Sequence, residues 1–241
     1  MAGPSSFKLA PALESDIPEI MSLLIPCFAH IPFEPLLGNV NTAPGREAAG
    51  RRHRDAWRQH ARSATVPCAL KCTHTRPETG EEQIVGFCEW FVYASPTSAD
   101  QHAEADALMS GAWLPATSEA RRTVREALEP VFALRRKWLR GRPCAILLYM
   151  CVAPEWRRQG VATMCVQWGV DRCKELGIPA YLEASEEGEP VYRRMGFVEL
   201  EKAKTTVEGL EGEFPVMMWW PPGTETEARG PAAMQMDGHP T

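Results

Sequence analysis

Arg157-Arg158-Gln159-Gly160-Val161-Ala162-Thr163 is the stretch of this 241-residue chain whose residue types and spacing can do chemistry. Two arginines precede a single glycine, and a helix-forming segment opens directly after it. The first N–H groups of a helix have no partner inside it. They point out of its start, where the helix dipole also favours an anion. A pyrophosphate fits there, because Gly160 lets the backbone approach closely and Ala162 is too small to block it. No Gly-Lys-Ser/Thr is present, which excludes a P-loop. One glycine stands where the dinucleotide fingerprint needs three. A plain strand-to-helix turn with solvent-facing arginines stays open at this point.

A strand and a helix must position that turn. Ala145 to Val152 is a continuous apolar run, the pattern of a strand buried on both faces, and Pro154 stops it. Val161 to Leu176 predicts a helix with Ala162, Cys165, Val166, Gly169, Cys173 and Leu176 on one face and Thr163, Gln167, Asp171 and Lys174 opposite. Gly177-Ile178-Pro179 ends it. Ala180 to Ala184 predicts a strand, and Val191 to Met195 a short helix stopped by Gly196. Phe197 to Leu200 and Val216 to Trp220 complete the strands.

Upstream, Phe7-Lys8-Leu9 predicts a first strand. Ser15 or Asp16 caps a helix with Pro18 in its first turn and Ile17, Ile20, Leu24 and Phe28 at helical spacing. Pro32 to Gly45 reads as a loop, and Arg46 to Ala64 as a polar helix with a weak apolar face. Cys68–Thr73 and Ile84–Tyr93 predict a hairpin across the turn residues Arg76-Pro77-Glu78-Thr79-Gly80. Ala94 to Gly141 departs from strand patterns. Within it, Ser118 caps a long amphipathic helix carrying Val124, Leu128, Val131, Leu134 and Trp138, which Pro130 should kink or divide. The basic cluster Arg135, Arg136, Lys137 and Arg140 reads as stabilisation of that helix's C-terminus. Strands alternating with helices predict an α/β domain over residues 1–222, with a helical insertion at 94–141 and a disordered tail at 223–241.

The net charge of -5 argues against a dedicated nucleic-acid binder. No apolar run reaches about 18 residues, so no membrane span is expected. Met1 to Ala10 lacks the pattern of a secretory signal. The eight cysteines are scattered, Cys68 and Cys72 being the nearest pair, with no Cys/His spacing for zinc. Reduced thiols, no metal, and a cytoplasmic or nuclear location are the expectation.

The segments downstream of the turn carry a resemblance. The order of a strand, an R-x-x-G-x-A helix, a strand and Tyr192-Arg193-Arg194-Met195-Gly196-Phe197 resembles the GNAT superfamily of acetyl-CoA-dependent N-acetyltransferases. Arg157, Gly160 and Ala162 match its first motif, and Tyr192, Gly196 and Phe197 its second. Tyr181-Leu182-Glu183-Ala184-Ser185 looks like the form common in fungal members. The resemblance covers Ile146 to Leu200, extends in order over Phe7 to Tyr93, and leaves out Ala94 to Gly141 and the tail.

The resemblance implies a mixed sheet whose strands splay around the pantetheine arm of acetyl-CoA, with helices on its flanks. Backbone groups of Cys151, Val152 and Ala153 would bond that arm. Main-chain N–H groups of Arg158, Gln159, Gly160, Val161, Ala162 and Thr163 would hold the pyrophosphate, with the Arg157 and Arg158 side chains either reaching phosphates or facing solvent. A tyrosine at the place of Tyr192 commonly protonates the departing thiolate; a packed core tyrosine is the alternative. Many members carry a basic carboxylate on a central strand, but Tyr149-Met150-Cys151 has none. Glu89 on the preceding strand is the best substitute, its alternative being an exposed strand glutamate, and Glu183 is a weaker one. Glu183, Glu186, Glu187 and Glu189 either favour a cationic amine or form a solvated loop. Trp90, Trp219 and Trp220 either line an acceptor pocket or pack in the core. Acetyl transfer to a primary amine of a small molecule or protein, by direct attack in a ternary complex, is the implied activity. Transfer of another acyl group, or a CoA-binding module without catalysis, are the alternatives. Oligomeric state is not legible.

Overall fold

Strands β1 (Phe7–Pro11), β2 (Val66–Thr75), β3 (Glu82–Tyr93), β4 (Cys144–Val152), β5 (Ala180–Glu183), β6 (Val198–Val207) and β7 (Leu210–Trp219) form one open sheet in the order β1-β2-β3-β4-β5-β7-β6. The computed structural model describes residues 7–27, 38–60, 66–103, 105, 114–115, 117–207 and 210–224. Most of the expected tail lies outside these residues, as do Phe28 of the expected first helix, 32–37 of the expected loop, 61–64 of the expected polar helix and 106–113 of the insertion. Helices α1 (Ile17–Cys27), α2 (Ala43–His60), α3 (Ala99–Ala103), α4 (Glu119–Leu139), α5 (Val161–Leu176) and α6 (Glu189–Arg194) flank the sheet. The architecture is mixed α/β. Among the described residues, no helix is long and apolar enough to cross a membrane.

The β4–β5 pair is parallel; every other neighbouring pair is antiparallel. That parallel pairing covers only Ala145↔Ala180, Ile146↔Tyr181 and Leu147↔Leu182. β4 continues to Val152 against β3 alone, so the sheet opens between β4 and β5 beyond Leu147. A β-bulge falls at the same place: Trp90 pairs Leu147 while Glu89 pairs Tyr149, leaving Leu148 extra in β4. The bulge turns Tyr149 and Cys151 toward the face that already holds Ile146.

Side chains alternate along β3. Val85, Cys88, Trp90 and Val92 pack on one face with Val161, Cys165, Val166 and Val170 of α5. Phe87 packs on the other with Ile20 and Leu24 of α1. The insertion joins that second face. Val124, Leu128 and Phe132 of α4 pack with α1 and α2, while Val131 and Leu139 pack with Tyr181, Val216 and Met218. Ser118 caps α4 as expected, its Oγ accepting from the Arg121 N–H at 3.2 Å. Pro130 does not divide the helix, which runs unbroken to Leu139.

The basic cluster at the end of α4 is largely paired across elements. Arg135 grips Glu183 at the end of β5 with Nε–Oε1 and Nη2–Oε2 both at 2.8 Å, and its Nη1 donates to the Ala103 carbonyl at 3.4 Å. Lys137 reaches Glu201 at 2.6 Å, and Arg136 reaches Asp100 of α3 at 3.7 Å besides pairing with Glu129 of its own helix. The Arg135–Glu183 side chains are only 8% and 14% exposed. Removing one partner of a buried pair strands the other charge. Arg135→Ala is therefore expected to lower unfolding free energy in urea by about 3 kcal/mol. The double variant Arg135→Met/Glu183→Leu should recover most of that loss; additive losses would show that the pair does not act as a unit.

Longer than the sequence pattern implied, β6 and β7 form a hairpin of two ten-residue strands. Charged pairs hold its outer half: Lys202 to Glu213 at 2.7 Å and Lys204 to Glu213 at 3.7 Å.

Candidate functional site

β4, the turn after it and α5 build the anion site. A one-turn 3₁₀ helix at Pro154–Trp156 ends the strand. Arg158 then takes φ +63°, a conformation that costs a non-glycine residue about 1–2 kcal/mol. Gly160 comes next at φ +91° and caps α5 without any side-chain hydrogen bond. Met164 N–H bonds the Gly160 carbonyl at 2.9 Å, so the N–H groups of Val161, Ala162 and Thr163 lack partners within the helix. Arg157, Arg158, Gln159, Gly160 and Thr163 are all exposed. A Cβ built on Gly160 meets no atom within 4 Å, so the space over the helix start is open.

Gly86, which sequence reading passed over, seats this helix. A Cβ there would lie 2.5 Å from Cγ1 of Val161, so only a bare backbone lets the first turn of α5 rest on β3. A glycine in the middle of an otherwise apolar strand was the available signal.

The edge of β4 beyond Leu147 is the second part. Ala153 donates its N–H to Val85 of β3 at 2.9 Å. Strand alternation then points the N–H and carbonyl of Val152 away from β3, into the opening. This corrects the expectation for Ala153, whose N–H is already taken by the sheet, and for Cys151, whose main chain the same alternation turns toward Phe87 of β3. In thiol form Cys27 donates to the Val152 carbonyl at 3.4 Å, and Arg157 Nε donates to it at 3.3 Å. The Arg157 side chain thus folds back onto the strand end. Gln159 Nε2 likewise donates to the Glu155 carbonyl at 3.1 Å. Phosphate would meet main-chain N–H groups first. Geometry and exposure both fit a pyrophosphate whose attached arm runs along Val152.

Tyr192 lies on the α5 face, 7% exposed, in one cluster with Cys88, Trp90, Cys165 and Leu182. Its ring meets Phe197 edge-on at 5.9 Å. Burial pushes the phenol well above its ordinary value, and the neighbouring thiols of Cys88, Cys151 and Cys165 add to this. It stays protonated across the working range and can donate.

Glu89 is not an exposed strand glutamate. It is 2% exposed and sits on the opposite face of the sheet, with His53 Nε2 at 3.6 Å from its Oε2. His53, itself buried, touches the rings of Trp57 at 5.1 Å, Tyr149 at 6.1 Å and Phe87 at 6.3 Å. Sequence reading missed His53. The spacing of Ala49, His53, Ala56 and Trp57 on one face of α2 was the signal, diluted by the arginines around it. Glu183 has both oxygens on Arg135, which makes it a strut between β5 and α4. Trp90 is core, 0% exposed, and Trp219 is buried beside Gly196.

The chain that carries this open helix start and unpaired strand edge matches known proteins in sequence family and in fold. The model of the acetyltransferase (GNAT) family matches residues 45–197. The protein named "Probable acyltransferase SID5" of Ajellomyces capsulatus is 30% identical over 70 residues, 27% of this chain and 52% of that protein. The chain thus spans about half the length of that curated relative. Among solved structures, an apo-form agmatine N-acetyltransferase variant superposes with a TM-score of 0.56 at 12% identity, over 90% of this chain and 100% of that one. A structure from Corynebacterium glutamicum, described as histone acetyltransferase HPA2 and related acetyltransferase, gives 0.53 at 20% identity, over 90% and 97%. Arabidopsis thaliana NAA60 with a bisubstrate analogue gives 0.51 at 12%, over 90% and 99%. At these identities the structures share the fold.

Proposed function

The chain belongs to the GNAT acetyltransferase family, and from that premise we propose that it transfers an acetyl group from acetyl-CoA to a primary amine by direct attack in a ternary complex. The observation that carries the proposal is the uncapped start of α5 beside the unpaired edge of β4. When bound, acetyl-CoA supplies a thioester carbonyl activated toward amines. The chain's own groups divide around it. Main-chain N–H groups of Gly160 to Thr163 hold the pyrophosphate, and the outward backbone of Val152 aligns the arm. A main-chain N–H of β4 near the Leu148 bulge answers charge developing on a carbonyl oxygen.

The two titratable candidates lie on opposite faces of the sheet. Tyr192, on the α5 face, donates to the departing sulfur. Glu89, with His53 behind it, accepts the proton released from the amine, directly or through a water. An amine can approach only as a neutral nucleophile, so placing acceptor and donor on opposite sides keeps the two proton transfers apart. The insertion helix α4 covers the Glu89 face and would shape the amine side.

The test is release of free CoA thiol from acetyl-CoA across a panel of small primary amines and peptide N-termini. Amine-dependent release supports the proposal; tight acetyl-CoA binding with no release under any amine would favour a CoA-binding module. Within the proposal, Glu89→Gln should lower kcat by about 10²-fold, with acetyl-CoA affinity within twofold. An unchanged kcat in a folded Glu89→Gln variant would assign proton acceptance to solvent alone.

A further inference from the structure

Two cysteines meet where α1 ends against β4. Cys27, the last residue of α1, is half-buried, and Cys151 is wholly buried in the same apolar cluster. Cys27 Sγ lies 3.4 Å from the Val152 carbonyl, and Cys151 Sγ lies 3.7 Å from the carbonyl of Phe87. Val152 follows Cys151 directly, so the two sulfurs share one neighbourhood of the apolar cluster, and Arg157 Nε, 3.3 Å from the same Val152 carbonyl, stands beside Cys27. Neither sulfur has a part in the acetyl transfer described above.

We propose that Cys27 and Cys151 are a peroxide-sensitive thiol pair whose oxidation joins α1 to β4 by a disulfide at the strand edge. The Cys151 contact and Arg157 pull the Cys27 thiol down to about 6, so it is thiolate at neutral pH. Burial holds Cys151 well above its ordinary value and keeps it a thiol. The thiolate is the reactive form. Hydrogen peroxide takes an electron pair from the Cys27 sulfur, its O–O bond breaks, and Cys27 becomes a sulfenic acid with loss of water. The Cys151 sulfur then attacks the Cys27 sulfur, the S–O bond breaks, and a second water leaves. Sulfur is oxidised by two electrons and peroxide is reduced by two.

The disulfide would fix Cys27 beside the outward carbonyl of Val152, whereas the reduced thiolate, with no proton to donate to that carbonyl, can move aside. Oxidised protein should therefore bind coenzyme A at least tenfold more weakly, a clause that rests on the cofactor site proposed above.

The experiment treats the full chain with hydrogen peroxide, alkylates it under denaturing conditions and maps the peptides by mass, with calorimetry of coenzyme A on the same samples. The expected result is a cross-linked peptide pair containing Cys27 and Cys151, two mass units below the sum of the thiol peptides. Dithiothreitol should reverse it and restore affinity. Cys27→Ser should show neither the cross-link nor a peroxide effect on affinity. Cys27 passing to sulfinic acid while Cys151 remains alkylatable would overturn the pair, as would faster reaction of another cysteine. A cross-link with unchanged affinity would overturn the coupling to the cofactor edge. Reduced protein that binds no coenzyme A would instead refute the cofactor site and leave the cross-link result standing.

Discussion

Gly160→Glu is expected to abolish acetyl-CoA binding in a protein that still folds. The helix start is uncapped and exposed, and a Cβ at this position meets no atom within 4 Å. The new side chain therefore finds room in the protein but fills the space an anion would use. Its carboxylate also competes for the same N–H groups and repels phosphate. Backbone strain adds to this, since φ is +91°. A non-glycine residue in such a conformation costs about 1–2 kcal/mol. Gly160→Ala separates the contributions, because it carries the strain without the charge. A tenfold loss or less is expected for Gly160→Ala, and at least 100-fold, about 2.7 kcal/mol, for Gly160→Glu. Calorimetry with acetyl-CoA, beside thermal melts of both variants, reads this out. A folded Gly160→Glu protein with parental affinity would move the phosphate site elsewhere.

Tyr192→Phe should lower kcat by about 10²–10⁴-fold, the usual range for assistance by a positioned acid. The ring's contact with Phe197 and its place in the α5-side core do not involve the hydroxyl. The fold and acetyl-CoA affinity should therefore hold. Because burial raises the phenol, its donor form persists to high pH, and no loss of activity from its ionisation is expected below pH 10. A thiolate is a tolerable leaving group, so a hydrogen bond that strengthens as charge develops is sufficient. Single-turnover measurement checks the chemical step. An effect confined to KM would assign the hydroxyl to ground-state binding. A kcat within twofold of the parent would make Tyr192 a core residue.

Features that depend on neighbours in the chain could be read from the sequence. β4 shows as an apolar run ended by Pro154. α5 shows between Gly160 and Gly177, and both of its ends fall where those residues predict. The turn's openness also comes from local residues. The burial of Glu89 does not, because its partner His53 comes from a helix rich in arginine, whose weak apolar face gave little sign of depth. The same holds for Cys27 beside Val152, a contact between elements far apart in the chain. β6 and β7 were seen only at their apolar inner ends. Their outer halves alternate Glu, Lys and Thr, a pattern that also suits a loop, and only pairing across the hairpin makes them strands. The opening between β4 and β5 is likewise a property of register.

The charged residues along β6 have a consequence for colloidal behaviour. β6 is the last strand of the sheet and runs ten residues, long enough to template pairing with another chain. Its Glu199, Glu201, Lys202 and Lys204 place ions along that strand, each already paired with a neighbour, so a second copy would have to accommodate or break those pairs before hydrogen bonds could form. At the other border, β1 is only five residues long. Both rims of an open seven-stranded sheet are thus guarded against fibre-like stacking, one by charge and one by shortness.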